Sequence, residues 1–382
     1  MTFQSYDPQS FLETTWQRSP ARFEGLFKDW QDFMSPEELA GLACEDGIES
    51  RLVVQDQDGV YRVSHGPLEA AQFQTLPAEG YSLLVHGLER IVDGIESLKD
   101  PFRGIPGWRF DDIMASYAPK GGGVGAHKDL YDVFLVQGMG KRRWRYNREP
   151  IANPVKDDSG DLALLRDVEW QEEWVMSPGD VLYLPAGVPH EGVSLEPSMT
   201  YSIGFRSPAI QEFFPEVAVA ISERIGADRL LKNHQEGRDG RPHCLDGAVD
   251  SIVELLVQQI KDNPDELLKT LGEKVTSPRM QFSERLEDPL SFEGFCEVYR
   301  GHSTLAKAPG LRLAYSHIAQ ALFVEGEAYP VTGIEELKWA QSLCADHQLR
   351  QETVPAGLFQ GKYLEVFHAW YQRQYFDFYQ SP

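Results

Sequence analysis

The sequence predicts an α+β protein: an antiparallel β-fold preceded by some helix, then a helical segment, then a smaller mixed unit. Three observations predict it. Residues 1–208 are rich in Gly, Pro and short apolar runs, with aromatics throughout, the texture of short strands joined by turns. In residues 209–272, Val249, Ile252, Val253, Leu256, Val257 and Ile260 recur at the spacing of one helix face. Residues 273–382 mix both patterns and end in an aromatic-rich stretch from Tyr363 to Tyr379.

In chain order, an early helix has a legible start. Ser35 is placed to cap it, Pro36 takes its first position, and Glu38 comes three residues after the cap. The stretch from Ile210 to Leu231 is apolar-periodic as well, and Asn233 to His243 reads as an exposed loop. Two helices with apolar stripes must bury them, against a partner subunit or against the first domain. The last unit has the size of a winged helix. With 10 basic and 14 acidic residues it is not recommended as a DNA reader.

Composition narrows the function classes. The chain has 382 residues, 42% apolar and 25% charged, as in soluble globular proteins with a sizeable core. No apolar run approaches the roughly 20 residues that span a bilayer, and the N-terminus lacks the basic and apolar regions of a signal peptide. Cytoplasmic residence is expected. Cys44, Cys244, Cys296 and Cys344 are scattered without CxxC spacing, so all four are read as reduced thiols rather than zinc ligands. A net charge of −23 argues against a large nucleic-acid surface and suits a basic partner, though solubility alone explains it as well.

The stretch Gly121-Gly-Gly-Val-Gly-Ala-His127-Lys-Asp129-Leu-Tyr131 carries the chemistry. Its glycines suggest a turn, and the residues after them suggest a strand. Residues two apart on a strand point the same way, so His127 and Asp129 project together. Downstream, Asp180-Val-Leu-Tyr-Leu-Pro-Ala-Gly-Val-Pro-His190 reads as a strand, a turn and a second strand opening on His190. Two imidazoles and one carboxylate bind one face of Fe(II) and leave three positions open. Without the Lys-Ser/Thr of a phosphate loop, residues 121–125 do not read as one.

Parity extends the site. On the run Lys141-Arg-Arg-Trp-Arg-Tyr146, Arg142, Trp144 and Tyr146 share a face. If that face is inward, Arg142 is a buried cation lacking a carboxylate, and the distal carboxylate of 2-oxoglutarate would supply one. Lys141, Arg143 and Arg145 fall on the opposite, solvent face. On Asp111-Asp-Ile-Met-Ala-Ser116, Asp112, Met114 and Ser116 alternate onto one face, where Ser116 could donate to the same co-substrate. Asp112, Met114 and Tyr131 would rim a pocket for a long side chain ending in a cation. A structural salt bridge accounts for Asp112 equally well.

These residues resemble a known family. Phe11-Leu with Trp16-Gln-Arg-Ser-Pro20, Trp108-Arg-Phe-Asp-Asp-Ile-Met, the glycine run through His127-Lys-Asp129-Leu-Tyr-Asp-Val-Phe, Gln137-Gly-Met-Gly-Lys-Arg142-Arg-Trp and Leu184-Pro-Ala-Gly-Val-Pro-His190 resemble the bacterial ribosomal oxygenases of the Jumonji-C (JmjC, cupin) class. The resemblance spans the chain. It implies a double-stranded β-helix (jelly-roll) core over 1–208, a helical dimerisation segment over 209–272, and a winged-helix-like domain over 273–382. It also implies Fe(II) on His127, Asp129 and His190, 2-oxoglutarate on Arg142 and Ser116, dioxygen, and a homodimer. The implied reaction hydroxylates the β-carbon of an arginine in large-subunit ribosomal protein sixteen. Two alternatives remain open at this point: an N-methyl-lysine or arginine demethylase, and a non-catalytic cupin that binds a metal as an interaction module.

Overall fold

Two antiparallel sheets are built from the alternating segments of the first half. In the computed structural model, residues 2–3, 6–56, 58–151, 154–157, 160–225, 249–278, 289–301, 304–345, 348–350 and 362–378 are described. The chain divides by compactness into Met1–Ser207 and Pro208–Pro382. In the first unit, the larger sheet orders its strands Ala21–Phe23, Val181–Leu184, Asp132–Gln137, Ser198–Phe205, Phe110–Ala118, Tyr81–Val85, Ser50–Gln55 and Tyr61–His65. The smaller sheet orders Glu172–Met176, Arg142–Tyr146 and His190–Ser194.

Parity sorts the side chains between two cores. Val133, Leu135, Leu182 and Leu184 of the larger sheet meet Trp144, Tyr146 and Met176 of the smaller one. Their neighbours Phe134, Val136, Val181 and Tyr183 face the other way, onto Phe11, Leu39, Leu88, Leu98 and Phe102. Helices therefore cover the outer face of the larger sheet. This is why Asp132–Gln137 is buried along its whole length and reads as an apolar run rather than an alternating one. Arg142–Tyr146, by contrast, alternates buried and half-buried residues. Its outward arginines pair across the sheet surface, Arg143 with Glu173 at 3.9 Å and Arg145 with Glu191.

The helix Pro36–Leu42 starts where the capping signature puts it. Glu38 N–H donates to Ser35 Oγ at 3.2 Å and Ser35 N–H to Glu38 Oε2 at 2.7 Å.

Behind the Phe110–Ala118 strand, the buried Glu89 carboxylate accepts the Ile113 N–H at 2.8 Å. Burial raises its pKa from 4.5 to about 7. Between those two values the folded chain holds a proton that the unfolded chain has released. Its contribution therefore makes stability fall as pH rises through that window and level off above it. Glu89→Gln keeps the acceptor and removes the titration. It is expected to exceed the parent at pH 8 by on the order of 2–3 kcal/mol, the advantage vanishing below pH 4.5. Urea unfolding at the two pH values checks this, and a pH-independent difference would rule it out.

In the second unit, helices Ile210–Ser222, Val249–Asp262 and Pro264–Thr276 are followed by Phe292–Gly301, Ile334–Ala345 and Lys362–Gln372 with two three-stranded sheets. The expected loop from Asn233 to His243 lies outside the described residues. A Cβ on Gly272 would lie 2.4 Å from the Phe323 ring, so the third of these helices sits directly on the Ala321–Val324 strand. Phe295, Trp339, Phe367 and Trp370 fill the core of this unit. Ile210, Phe214 and Val219 on the first helix, and Val249, Val253 and Leu256 on the second, stay exposed. No described helix is long and apolar enough to cross a membrane.

Candidate metal and co-substrate site

The glycine run is a packing device. A Cβ on Gly122 would lie 2.1 Å from the Tyr81 carbonyl oxygen, and one on Gly123 2.4 Å from that of Gly192. Only glycine lets this turn lie against the backbones of both sheets. It delivers His127 opposite His190, where His127 N–H donates to His190 O at 3.0 Å and His190 N–H to His127 O at 2.9 Å.

A regular strand carrying His127 and Asp129 is the sequence expectation, and the structure differs. His127 forms a single bridge, and the strand begins at Asp132. The Asp129 carbonyl instead accepts the Gly187 N–H at 2.7 Å, so the Pro-Ala-Gly turn takes the hydrogen bond a neighbouring strand would have taken. Alternation still survives: Asp129 and Tyr131 turn inward with His127, while Leu130 is 81% exposed.

One nitrogen or oxygen from each of His127, Asp129 and His190 lies within 4.8 Å of the others. His190 Nε2 is 3.5 Å from Asp129 Oδ2, and His127 Nε2 is 3.9 Å from Asp129 Oδ1. Each imidazole places Nδ1 3.0 Å from a backbone carbonyl, that of Gly125 for His127 and of Val188 for His190. A carbonyl only accepts, so Nδ1 carries the proton and donates, and both Nε2 lone pairs face the cluster. Burial, then the neighbouring His190, lower the His127 pKa. Burial works against the Asp129 charge, but His190, His127 and Arg51 hold its pKa below the usual range. Neutral imidazoles and an ionised carboxylate are the states a metal requires. The donor set fits Fe(II), and nothing else among the described residues gathers three such ligands.

A cavity of about 230 Å³ runs from this cluster between the sheets. Ser116, Met114, Tyr131 and Arg142 line it, as parity predicts. Arg142 Nη1 donates to Ser116 Oγ at 3.1 Å and Nε to Ser194 Oγ at 3.3 Å. Its Nη2 is buried without a hydrogen-bond partner, and burial lowers the guanidinium pKa to about 10. No carboxylate pairs with it among the described residues. A buried cation in that state is arranged for an anion that arrives from outside.

Asp112 departs from the expected rim. It is buried and paired, its Oδ2 2.8 Å from His86 Nδ1, and it is not part of the cavity wall. Met114, two residues on along the same face, is. Trp144 shares the wall with Arg142, on the face parity gave them both, whereas sequence reasoning missed Arg51 and Ser202. Arg51 enters because it pairs with Leu84, which pairs with Ser116: three strands put the two residues on one row. An arginine directly before the apolar run Leu52-Val-Val54 was the available signal.

A two-sheet sandwich with this triad at the mouth of its inner cavity defines a JmjC-type cupin, and the JmjC domain family matches residues 97–213. The ribosomal protein uL16 3-hydroxylase of Escherichia coli is 35% identical over 319 residues, 83% of this chain and 84% of that one. A probable ribosomal oxygenase of Haemophilus influenzae is 31% identical over 84% of this chain and 81% of its own. The solved structure of the E. coli ribosomal oxygenase YcfD with cobalt and 2-oxoglutarate superposes with a TM-score of 0.83 over 99% of both chains, at 31% identity. The chain belongs to the JmjC ribosomal oxygenases.

Proposed function

We propose that this chain is an Fe(II)- and 2-oxoglutarate-dependent hydroxylase acting on the β-carbon of an arginine in ribosomal protein uL16. The observation that carries the reading is Arg142: a buried guanidinium with an unpartnered Nη2, in the same cavity as three convergent metal ligands. A metal-binding module needs no such cation, whereas a dicarboxylic co-substrate does. The relative named a uL16 3-hydroxylase supports the substrate, and a net charge of −23 suits a basic one.

In this reading His127, Asp129 and His190 hold Fe(II), which with 2-oxoglutarate and dioxygen supplies an oxidant able to hydroxylate an unactivated C–H bond. The protein supplies geometry. The Gly125 and Val188 carbonyls fix both imidazole tautomers. Arg142 receives the distal carboxylate, assisted by Ser116, whose 3.5 Å contact to the Thr200 carbonyl is long enough to exchange. Met114 and Tyr131 wall the path of the substrate side chain, and Asp112 attracts its cationic end. The exposed apolar faces at Phe214, Val253 and Leu256 support a homodimer formed through 209–272. The strands and helices of 273–382 are read as winged-helix-like, without a DNA-binding role. A ribosomal-protein substrate and the absence of a membrane-spanning helix among the described residues support action in the cytoplasm.

The test is intact-mass analysis of uL16 incubated with the iron-loaded chain and 2-oxoglutarate. The product should be heavier by one oxygen atom, located on an arginine. Formaldehyde released from an N-methylated substrate would favour a demethylase. No succinate, even with substrate present, would favour a binding module.

A further inference from the structure

Beside the cavity lies a chain of three side chains, of which the proposed reaction uses only Asp112. Arg51 stands in the wall, and its Nη2 is 3.0 Å from His86 Nε2. On the far side of the ring, His86 Nδ1 is 2.8 Å from Asp112 Oδ2. His86 and Asp112 are both buried. Proton bookkeeping leaves one arrangement. A guanidinium has donors only, so Nε2 accepts from Arg51. The ring's single N–H is then on Nδ1 and donates to Asp112. Each group fixes the next: Arg51 sets the tautomer, the tautomer sets the bond to Asp112, and that bond sets the orientation of the carboxylate. Arg51 Nε has no partner of its own, so the guanidinium is held from its Nη2 end.

We infer that His86 is a positioning residue for substrate recognition: with Arg51 it aims the Asp112 carboxylate at the cationic end of the substrate side chain. The inference rests on the reading of Asp112 as the receptor for that cation. Asp112 stands two residues from Met114 on the same strand face, just behind the cavity wall, and in the proposed reading a side chain passing Met114 and Tyr131 is directed toward it. A hydrogen bond that pins a buried carboxylate strengthens what the carboxylate binds, because no reorganisation accompanies binding. Two structural facts agree. A Cβ on Gly204 would lie 3.1 Å from Asp112 Oδ1, so the neighbouring strand leaves the carboxylate room through a glycine. The Ile113 N–H, adjacent to Asp112, is held by Glu89, which anchors the backbone beneath it.

The test compares two peptides of the uL16 sequence, one with arginine and one with its neutral isostere citrulline. Their binding to the full chain loaded with Co(II) and 2-oxoglutarate is read by fluorescence anisotropy. The parent should prefer arginine. His86→Ala should weaken arginine binding by about tenfold while leaving citrulline binding unmoved. His86→Asn, whose side-chain amide N–H can stand where Nδ1–H stood, should restore most of the preference. In an Asp112→Asn background, His86→Ala should add nothing, since the group it positions has lost its charge. If Asp112→Asn keeps the arginine preference, the receptor reading itself fails. If Asp112→Asn loses it but His86→Ala does not, the receptor stands and the positioning role of His86 is overturned. Equal weakening of both peptides by His86→Ala, without rescue by His86→Asn, would overturn it too, as a merely structural effect.

Discussion

Alanine at His127 or at Asp129 is expected to abolish 2-oxoglutarate turnover while leaving the fold intact. Losing an outer-shell partner of a metal ligand typically costs roughly 10–100-fold, and removing one of only three ligands must cost more. The fold should survive because the elements meet through backbone. The paired bonds between His127 and His190, and the Gly187 to Asp129 bond, involve no side chain. Asp129→Ala also removes a charge that burial opposes, leaving two imidazoles whose Nδ1–H bonds to the Gly125 and Val188 carbonyls do not depend on it. The measurement is succinate formation by iron-loaded protein, with bound metal and thermal melting followed on the same samples. Retained turnover in both variants would sink the assignment of the site. Loss of turnover with full metal occupancy would remove them as ligands and leave some other role.

The legibility of each residue depended on where it sits. His127, Asp129 and Arg142 could be read because each lies on a segment whose faces are set by alternation, and alternation is a local property. His190 could be read because a Pro-Ala-Gly-Val-Pro turn announces the strand that it opens. The same local rule placed Met114 and Ser116 inward and Arg145 outward. It missed Arg51 and His86, since nothing local says that the Ser50–Gln55 strand lies two places from Phe110–Ala118. That placement is a matter of sheet order, set by which apolar faces meet. Asp112 shows the limit most clearly. Parity gave its face correctly, but its partner comes from the end of another strand, so rim residue and buried salt bridge were equally compatible with the sequence. The irregular backbone at 128–131 was illegible for a similar reason: the Gly187 N–H that captures the Asp129 carbonyl arrives from 58 residues away.

Arg142 provides a prediction in which function and stability move in opposite directions. In the free protein its guanidinium is fully buried, holds two serine hydroxyls, and has no carboxylate. Burial without a counter-charge is costly, which is why its pKa falls to about 10. Arg142→Met keeps most of the side-chain volume and removes the charge. The variant is therefore expected to melt at or above the temperature of the unliganded parent. Toward 2-oxoglutarate the sign reverses. A dicarboxylate that depends on this guanidinium loses about 2–4 kcal/mol, roughly 30- to 1000-fold in apparent affinity. The parent's melting temperature should rise with 2-oxoglutarate in the presence of a redox-inert divalent metal, and that rise should disappear in Arg142→Met. Arg142→Lys should recover only part of it, because a point charge cannot reproduce two parallel N–H bonds. An unchanged affinity in Arg142→Met would refute the role of Arg142. A variant that is strongly destabilised when unliganded would show instead that the guanidinium is satisfied within the fold, and the main support for a dicarboxylate in this cavity would be gone.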